Sequence, residues 1–294
     1  MTEITLETGV VSEVFPKMCN VVLNSDHSKK LLCTYRRAQV IDNDKEWRER
    51  SPVAPGDLVE VQVLGSRDGV IEKINPRRNC IQRRAPGKDG KVLHTIAANI
   101  DLVVIVTSLH DPAFSPGLVD RFLIATQKAG IAPLLVINKT DLMSAADEKP
   151  WAMYEQLDIT CLPISAKLQK GIEEVREYVT GKTVVFCGHS GVGKTSLLSA
   201  LFGESMGKVG AINDYTRKGK HTTTVSTLVE AKDKTRFIDT PGIKEFGLIE
   251  VDPKELIEYF PEILAAQLKR EPLEELPRYE TYLRIKAALE DEGR

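Results

Sequence analysis

The chain has 294 residues, of which 42% are hydrophobic and 28% charged, and a formal net charge of −2. That composition fits a soluble protein of two or three domains, and its near-neutral balance excludes whole-molecule charge as a force drawing it to nucleic acid. No apolar run reaches the length of a membrane span, and Met1-Thr2-Glu3 does not open a signal peptide, so the expected location is the cytoplasm. Five cysteines (Cys19, Cys33, Cys80, Cys161 and Cys187) include no CxxC pair. Their odd number favours reduced thiols over a disulfide framework.

Residues 1–75 read as short strands between turns: Thr8–Val11, Cys19–Leu23, Lys30–Tyr35, Leu58–Leu64 after the Pro55-Gly56-Asp57 turn, and Val70–Ile74 after Gly69. Short alternating strands with no long helix predict an OB-type β-barrel. From Ile74 to Lys91 the chain carries Arg77, Arg78, Arg83, Arg84, Lys88 and Lys91 against the single acid Asp89. This stretch reads as an irregular basic linker, and Arg77, Arg78, Arg83 and Arg84 are candidate contacts for RNA phosphates.

Beyond about residue 96 the pattern changes to apolar strands alternating with helices. Ile100–Val106, Pro133–Ile137 and Thr183–Cys187 read as buried strands, and Leu118–Ala129 and Lys194–Leu201 as helices. This alternation predicts an α/β domain over 76–247 with a parallel sheet covered on both faces. The remainder, 248–294, reads as a small helical domain, with helices over Pro253–Phe260 and Leu276–Glu290. Leu256, Ile257, Phe260, Ile263, Leu264, Tyr279, Tyr282, Leu283 and Ile285 are its candidate apolar contacts.

Four motifs carry the chemistry. Gly188-His189-Ser190-Gly191-Val192-Gly193-Lys194-Thr195, followed by Ser196, fits the phosphate-binding pattern G-x-x-x-x-G-K-[ST] between a strand and a helix. Its glycines let backbone N–H groups turn toward phosphates, and the helix adds its positive end. Lys194 is expected to reach the β- and γ-phosphates and Thr195 to ligate Mg²⁺. Asp239-Thr240-Pro241-Gly242 supplies a carboxylate for Mg²⁺ and an N–H, that of Gly242, for the γ-phosphate. Asn138-Lys139-Thr140-Asp141 can read guanine: Asp141 accepts from its N1–H and exocyclic amine, Asn138 either pairs with the base or ties the loop to the phosphate loop, and Lys139 covers the ring. Adenine offers Asp141 no matching donors. Ser165-Ala166-Lys167 then supplies a backbone N–H for the guanine oxygen.

The order is permuted. Ordinary small GTPases place the phosphate loop first, whereas here the guanine-reading motifs precede it. The residue after Gly242 is Ile243, where a Ras-like enzyme has a water-orienting glutamine. His221, beside Thr222-Thr223-Thr224, is the candidate catalytic replacement, and Thr223 is the candidate switch ligand to Mg²⁺.

With Asn99-Ile100-Asp101, Asp120-Arg121-Phe122-Leu123, GHSGVGKTSL, Gly219-Lys220-His221-Thr222-Thr223-Thr224 and DTPGI in place, residues 1 to about 260 resemble the circularly permuted ribosome small-subunit-dependent GTPase A (RsgA, also YjeQ) family. The resemblance implies a multidomain fold: a barrel, a permuted P-loop GTPase domain and a C-terminal helical domain. It also implies a GTP hydrolase that acts late in maturation of the 30S subunit and its 16S rRNA, stimulated by that subunit, with Mg²⁺ as cofactor and a monomeric chain. The alternative is a GTP-controlled rRNA-binding switch in which hydrolysis is incidental. The family usually carries a zinc site of three cysteines and a histidine in its C-terminal domain. This chain has no Cys after Cys187 and no His after His221, so zinc is not expected.

Overall fold

The structure is a computed structural model; it describes residues 6–35, 48–49, 51–84, 92–203, 226–239, 248–249 and 251–292. Strands β1 (Leu6–Phe15), β2 (Met18–Leu23), β3 (Lys30–Thr34), β5 (Leu58–Val63) and β6 (Asp68–Ile74) form the barrel, and β4 (Arg48–Glu49) lies outside it. The strands run β1-β2-β3-β6-β5, and β5 returns to β1 to close the ring. The period-2 pattern accounts for this: Cys19, Val21 and Leu23 of β2 point inward, and Met18, Asn20 and Val22 outward. Val11, Leu31, Cys33, Val59, Val61 and Ile71 complete the barrel core.

Within the basic stretch, expected to be an irregular linker, the described residues include a strand. Cys80–Arg84 forms β7, paired antiparallel with β8 (Val92–Ala98), and β8 also takes β4 as its other neighbour. Ile81 is the buried residue of β7, against Ala97. Arg77 also departs from expectation. Its Nε and Nη2 donate to the two carboxylate oxygens of the fully buried Asp57 at 2.7 and 2.9 Å, and Nη2 reaches Pro52 O at 3.3 Å. A paired, inward-facing guanidinium is a structural clamp and is unavailable to RNA. Asp57 also accepts from Ala54 N at 2.8 Å. The turn that carries it is tight: Gly56 has φ +94°, and a Cβ there would stand 2.1 Å from Ala98 O. Asn99 Nδ2 donates to Gly56 O and its Oδ1 accepts from Arg78 N, both at 2.9 Å. A buried polar network therefore fastens the barrel to the β7–β8 pair.

The α/β part contains β9 (Leu102–Ser108), β10 (Ala132–Asn138), β11 (Cys161–Pro163), β12 (Thr183–Cys187), β13 (Thr227–Glu230) and β14 (Arg236–Asp239), in the order β11-β10-β9-β12-β14-β13. The first five are parallel and β13 is antiparallel to β14. Near-continuous apolar strands fit a sheet buried on both faces. Val103, Ile105, Leu135, Ile137, Val185 and Cys187 face one layer; Leu102, Val104, Leu134, Val136, Val184 and Phe186 face the other. Helix α1 (Pro116–Lys128) packs on the first layer, and α3 (Ile172–Val179) and α4 (Lys194–Phe202) on the second; α2 (Ala152–Glu155) is a single turn. At its edge β13 pairs with β1, so barrel and α/β sheet form one hydrogen-bonded surface.

The C-terminal segment holds a 3₁₀ turn at Leu256–Tyr259, then α5 (Pro261–Lys269) and α6 (Tyr279–Glu292), so the helix expected over Pro253–Phe260 is shorter and the next begins at Pro261. Leu256, Phe260, Ile263, Tyr282 and Ile285 are buried with Ile124 of α1, whereas Leu283 faces solvent at 45% exposure. Helix α1 is thus covered on two sides: Phe122 meets the sheet core and Ile124 the C-terminal core.

Between them lies a buried cation. Arg278 is 3% exposed; its Nε donates to Asp120 Oδ1 at 2.8 Å and its Nη1 to Glu262 at 3.0 Å. Its guanidinium lies 4.4 Å from the Phe260 ring centre and 5.6 Å from that of Tyr154. Burial pushes the Asp120 carboxyl up to about 6, against the pull of Arg278. The raised value means the folded chain takes up this proton first. The stability contribution is therefore complete below about pH 4, the unfolded range, and is lost as pH rises through about 6. We expect Arg278→Ala to cost roughly 3–5 kcal/mol at pH 8, because it orphans a buried carboxylate. The deficit should shrink as pH falls toward 5, where protonation neutralises Asp120. Urea unfolding at the two pH values checks this, and a pH-independent deficit would contradict it.

Candidate nucleotide site

The strand order brings both halves of the permuted motif set to one edge. β9, β10, β12 and β14 run parallel, so their C-terminal ends converge. The phosphate loop leaves β12, Asn138 ends β10, and Asp239 ends β14. A crevice at the carboxyl ends of parallel strands is where α/β sheets bind ligands.

Gly188–Gly193 turns from β12 into α4. Gly188, Gly191 and Gly193 have φ of +140°, +87° and +89°. At Gly193 a Cβ would stand 2.3 Å from Asn138 Nδ2, so this glycine admits the guanine loop against the phosphate loop. Lys194 Nζ donates to Gly188 O and His189 O, both at 2.8 Å, and so lies over the loop. Thr195 stands in the first turn of α4, whose N-terminal N–H groups face the crevice.

The sequence left two roles open for Asn138, and the geometry shows one of them, the tie to the phosphate loop. Its Nδ2 donates to Val192 O at 2.9 Å, and its Oδ1 accepts from Ala166 N at 3.0 Å. Asp141 follows in the turn Thr140–Leu142. Ser165 Oγ donates to Asp141 Oδ1 at 2.6 Å, and Lys167 Nζ lies 3.9 Å from Oδ2. The Ser165 hydroxyl, aided by Lys167 and Lys139, holds the Asp141 carboxyl below its ordinary value. It stays an acceptor at neutral pH. Ser165 Oγ also accepts from Leu168 N at 3.1 Å, which fixes the Ser165-Ala166-Lys167 loop.

The loop after β9 completes the surround and was missed in the sequence. Lys139 Nζ donates to Asp111 O. Ser108 Oγ donates to Pro112 O at 2.8 Å, and His110 Nε2 lies 2.9 Å from Asp147 Oδ2. The Ser-Leu-His-Asp-Pro turn cluster directly after a buried strand was the available signal. His221, Thr223 and Gly242 lie outside the described residues, as does the side chain of Asp239. Among the described residues no group of three or more His, Cys, Asp or Glu stands ready to hold a metal, and no helix is long and apolar enough to cross a membrane.

The comparisons agree with this geometry. The family model described as RsgA GTPase matches residues 74–249. A protein of Flavobacterium johnsoniae named "Small ribosomal subunit biogenesis GTPase RsgA" is 34% identical over 253 residues, covering 84% of this chain and 78% of that one. One of the same name from Porphyromonas gingivalis is 38% identical over 232 residues, covering 76% and 73%. Among solved structures, YjeQ from Thermotoga maritima superposes with a TM-score of 0.70 at 26% identity over 97% of this chain and 99% of that one. YloQ, described as a circularly permuted GTPase, superposes at 0.69 and 21% identity over 99% and 98%, a likeness of fold alone. With its guanine and phosphate motifs assembled at one sheet edge in permuted order, this chain belongs to the RsgA GTPase family.

Proposed function

We propose that this GTPase acts late in the assembly of the small ribosomal subunit, binding its 16S rRNA as a monomer in the cytoplasm and hydrolysing GTP under stimulation by the 30S particle. The observation that carries the reading is the set of guanine and phosphate motifs gathered at one sheet edge, in a chain whose relatives are named for small-subunit biogenesis. Multiple-turnover hydrolysis measured with and without 30S subunits tests it, together with co-sedimentation in GDP and in a non-hydrolysable GTP analogue. We expect the particle to raise turnover at least about tenfold. Equal rates with saturating 30S would favour the rRNA-binding switch with incidental hydrolysis.

In this reading Asp141 receives the two guanine donors, a backbone N–H of the Ser165-Ala166-Lys167 loop meets the guanine oxygen, and the Lys139 stem covers the ring. Gly188 to Thr195 and Ser196 cradle the phosphates, and Lys194 exchanges its loop carbonyls for β- and γ-oxygens. The donor set suits Mg²⁺: the Thr195 hydroxyl and the Asp239 carboxylate are hard oxygen ligands. The register Val185↔Ile238 brings the end of β14 beside the start of the phosphate loop. Thr223 would complete that ligand set. Bound Mg²⁺ would neutralise charge on the phosphates. Arg78 and Arg84, both exposed, and the half-buried Arg83 are the part of the basic cluster assigned to rRNA.

Two substitutions separate the roles. Asp141→Asn is expected to weaken GTP binding by roughly 10–100-fold and to improve xanthosine triphosphate binding, since the amide meets the extra carbonyl of xanthine. Ser165 Oγ can still donate to the amide oxygen, so the loop should survive. Titration with both nucleotides reads the result, and unchanged GTP affinity would remove Asp141 from the base site. Ile243 cannot orient water, so His221→Ala should abolish most 30S-stimulated turnover, by about 10²-fold or more, while nucleotide affinity holds. Full stimulated turnover in that variant would show that another group directs the water.

A further inference from the structure

β13 begins three residues after Thr224 in the chain. It is therefore the direct continuation of the segment assigned to the γ-phosphate. β14, its antiparallel partner, ends in Asp239. The two strands carry both nucleotide-sensing segments, and β13 is also the strand that meets the barrel.

The meeting has two points. At the start of β13, Thr227 pairs with Glu13 of β1, and Val10 of β1 is buried in the same core as Leu228 and Ile238. At its end, Glu230 bridges two elements. His27 Nδ1 donates to Glu230 Oε1 at 2.6 Å from the loop between β2 and β3, and Arg236 Nε donates to Oε2 at 2.7 Å from the facing position of β14. The His27 loop is itself held in shape. Asn24 N donates to Thr8 O at 3.0 Å, and Ser28 Oγ donates to Asp26 Oδ1 at 2.6 Å. The contact is half-exposed, with side-chain exposures of 45% for His27 and 21% for Glu230. Such a contact is marginal by itself, and a shift of about an ångström ends a hydrogen bond of this length. It is suited to being made in one state and broken in another.

We propose that Glu230 is the coupling residue of a nucleotide-controlled latch, holding the β2–β3 loop of the barrel through His27 in one nucleotide state and releasing it in the other. The two γ-phosphate segments set the position of the β13–β14 hairpin, and the hairpin sets the latch. A two-state element biased from both sides is the physical requirement for coupling two sites. Here the second site is the barrel, more than two hundred residues away in sequence: His27 and Glu230 are separated by 203 positions. The proposal rests on the GTPase cycle and not on ribosome binding, so its test contains no ribosome.

Hydrogen exchange on the full chain, loaded with GDP or with a non-hydrolysable GTP analogue, reads the latch directly. Peptides covering 18–34 are expected to exchange at rates that differ at least about threefold between the two states. In Glu230→Ala and in His27→Ala that difference should vanish while both nucleotides still bind, and the ratio of their affinities should shift by about the same factor that the latch contributes, roughly threefold. Equal exchange of 18–34 in the two states of the unmodified chain overturns the proposal. So does a difference that persists in both variants.

Discussion

One carboxamide holds the nucleotide site together. Asn138 donates to Val192 O and accepts from Ala166 N while 3% exposed. Its three segments are the end of β10, the 165–167 loop and the phosphate loop, and in a permuted chain the last of these lies 54 residues downstream of Asn138. Buried polar groups must be paired, so the contact holds only when β10 and β12 are both seated beside β9. Gly193 is the other half of the constraint, because any side chain there would occupy the amide's place. Permutation can reorder the chain freely provided these parallel pairings survive. The register β10–β9–β12 is what preserves them.

The rest of the fold divides according to whether its cause is local. The barrel strands were legible because inward and outward residues alternate within each strand, as in β2 and β3. The nucleotide loops were legible because phosphate and guanine recognition demand glycine, lysine and carboxylate at fixed spacing. β7 was not legible: Ile81 is its one buried residue, and its strand character comes from the partner β8 and not from its own pattern. Arg77 looked like part of a surface patch because its partner, Asp57, lies 20 positions earlier in a turn. Charge can be counted from sequence, but whether it faces water is a tertiary fact. Helix α3 was not legible although Ile172, Val175 and Val179 keep helical spacing, since at eight residues its apolar period barely repeats. The tie of Asn138 to the phosphate loop, one of its two alternatives, became visible only in distances.

The C-terminal helices show the same division with a mechanical consequence. Most of their apolar residues were readable from spacing; Leu264 and Leu283 are the expected contacts that the C-terminal core does not contain. What seats them on the GTPase sheet was not readable. Asp120 and Arg278 are 158 positions apart and meet only when α1 is sandwiched between two cores. With no cysteine or histidine available there for a metal cage, the segment is held by this buried ion pair, the rings of Phe260 and Tyr154, and apolar packing. A short domain needs such a staple.

The placement of that staple matters as much as its strength. Helix α1 lies on the β9–β10 side of the sheet, and Lys128 in its last turn donates to Ile249 O at 2.7 Å. Ile249 belongs to the stretch by which the chain leaves the Asp239–Gly242 motif. The C-terminal helices are therefore attached to the nucleotide domain twice: through Arg278 near the start of α1 and through Ile249 at its end. The buried Asp120–Arg278 pair is costly to pull apart and forms only within a narrow geometry. At the β13 edge of the sheet the barrel is joined by the pairing of β13 with β1, by Val10 in the shared core, and, through β7 and β8, by the buried contacts of Asp57 with Arg77 and of Asn99 with Gly56. Both appendages are thus fastened by buried polar contacts, the barrel with a strand-edge pairing in addition.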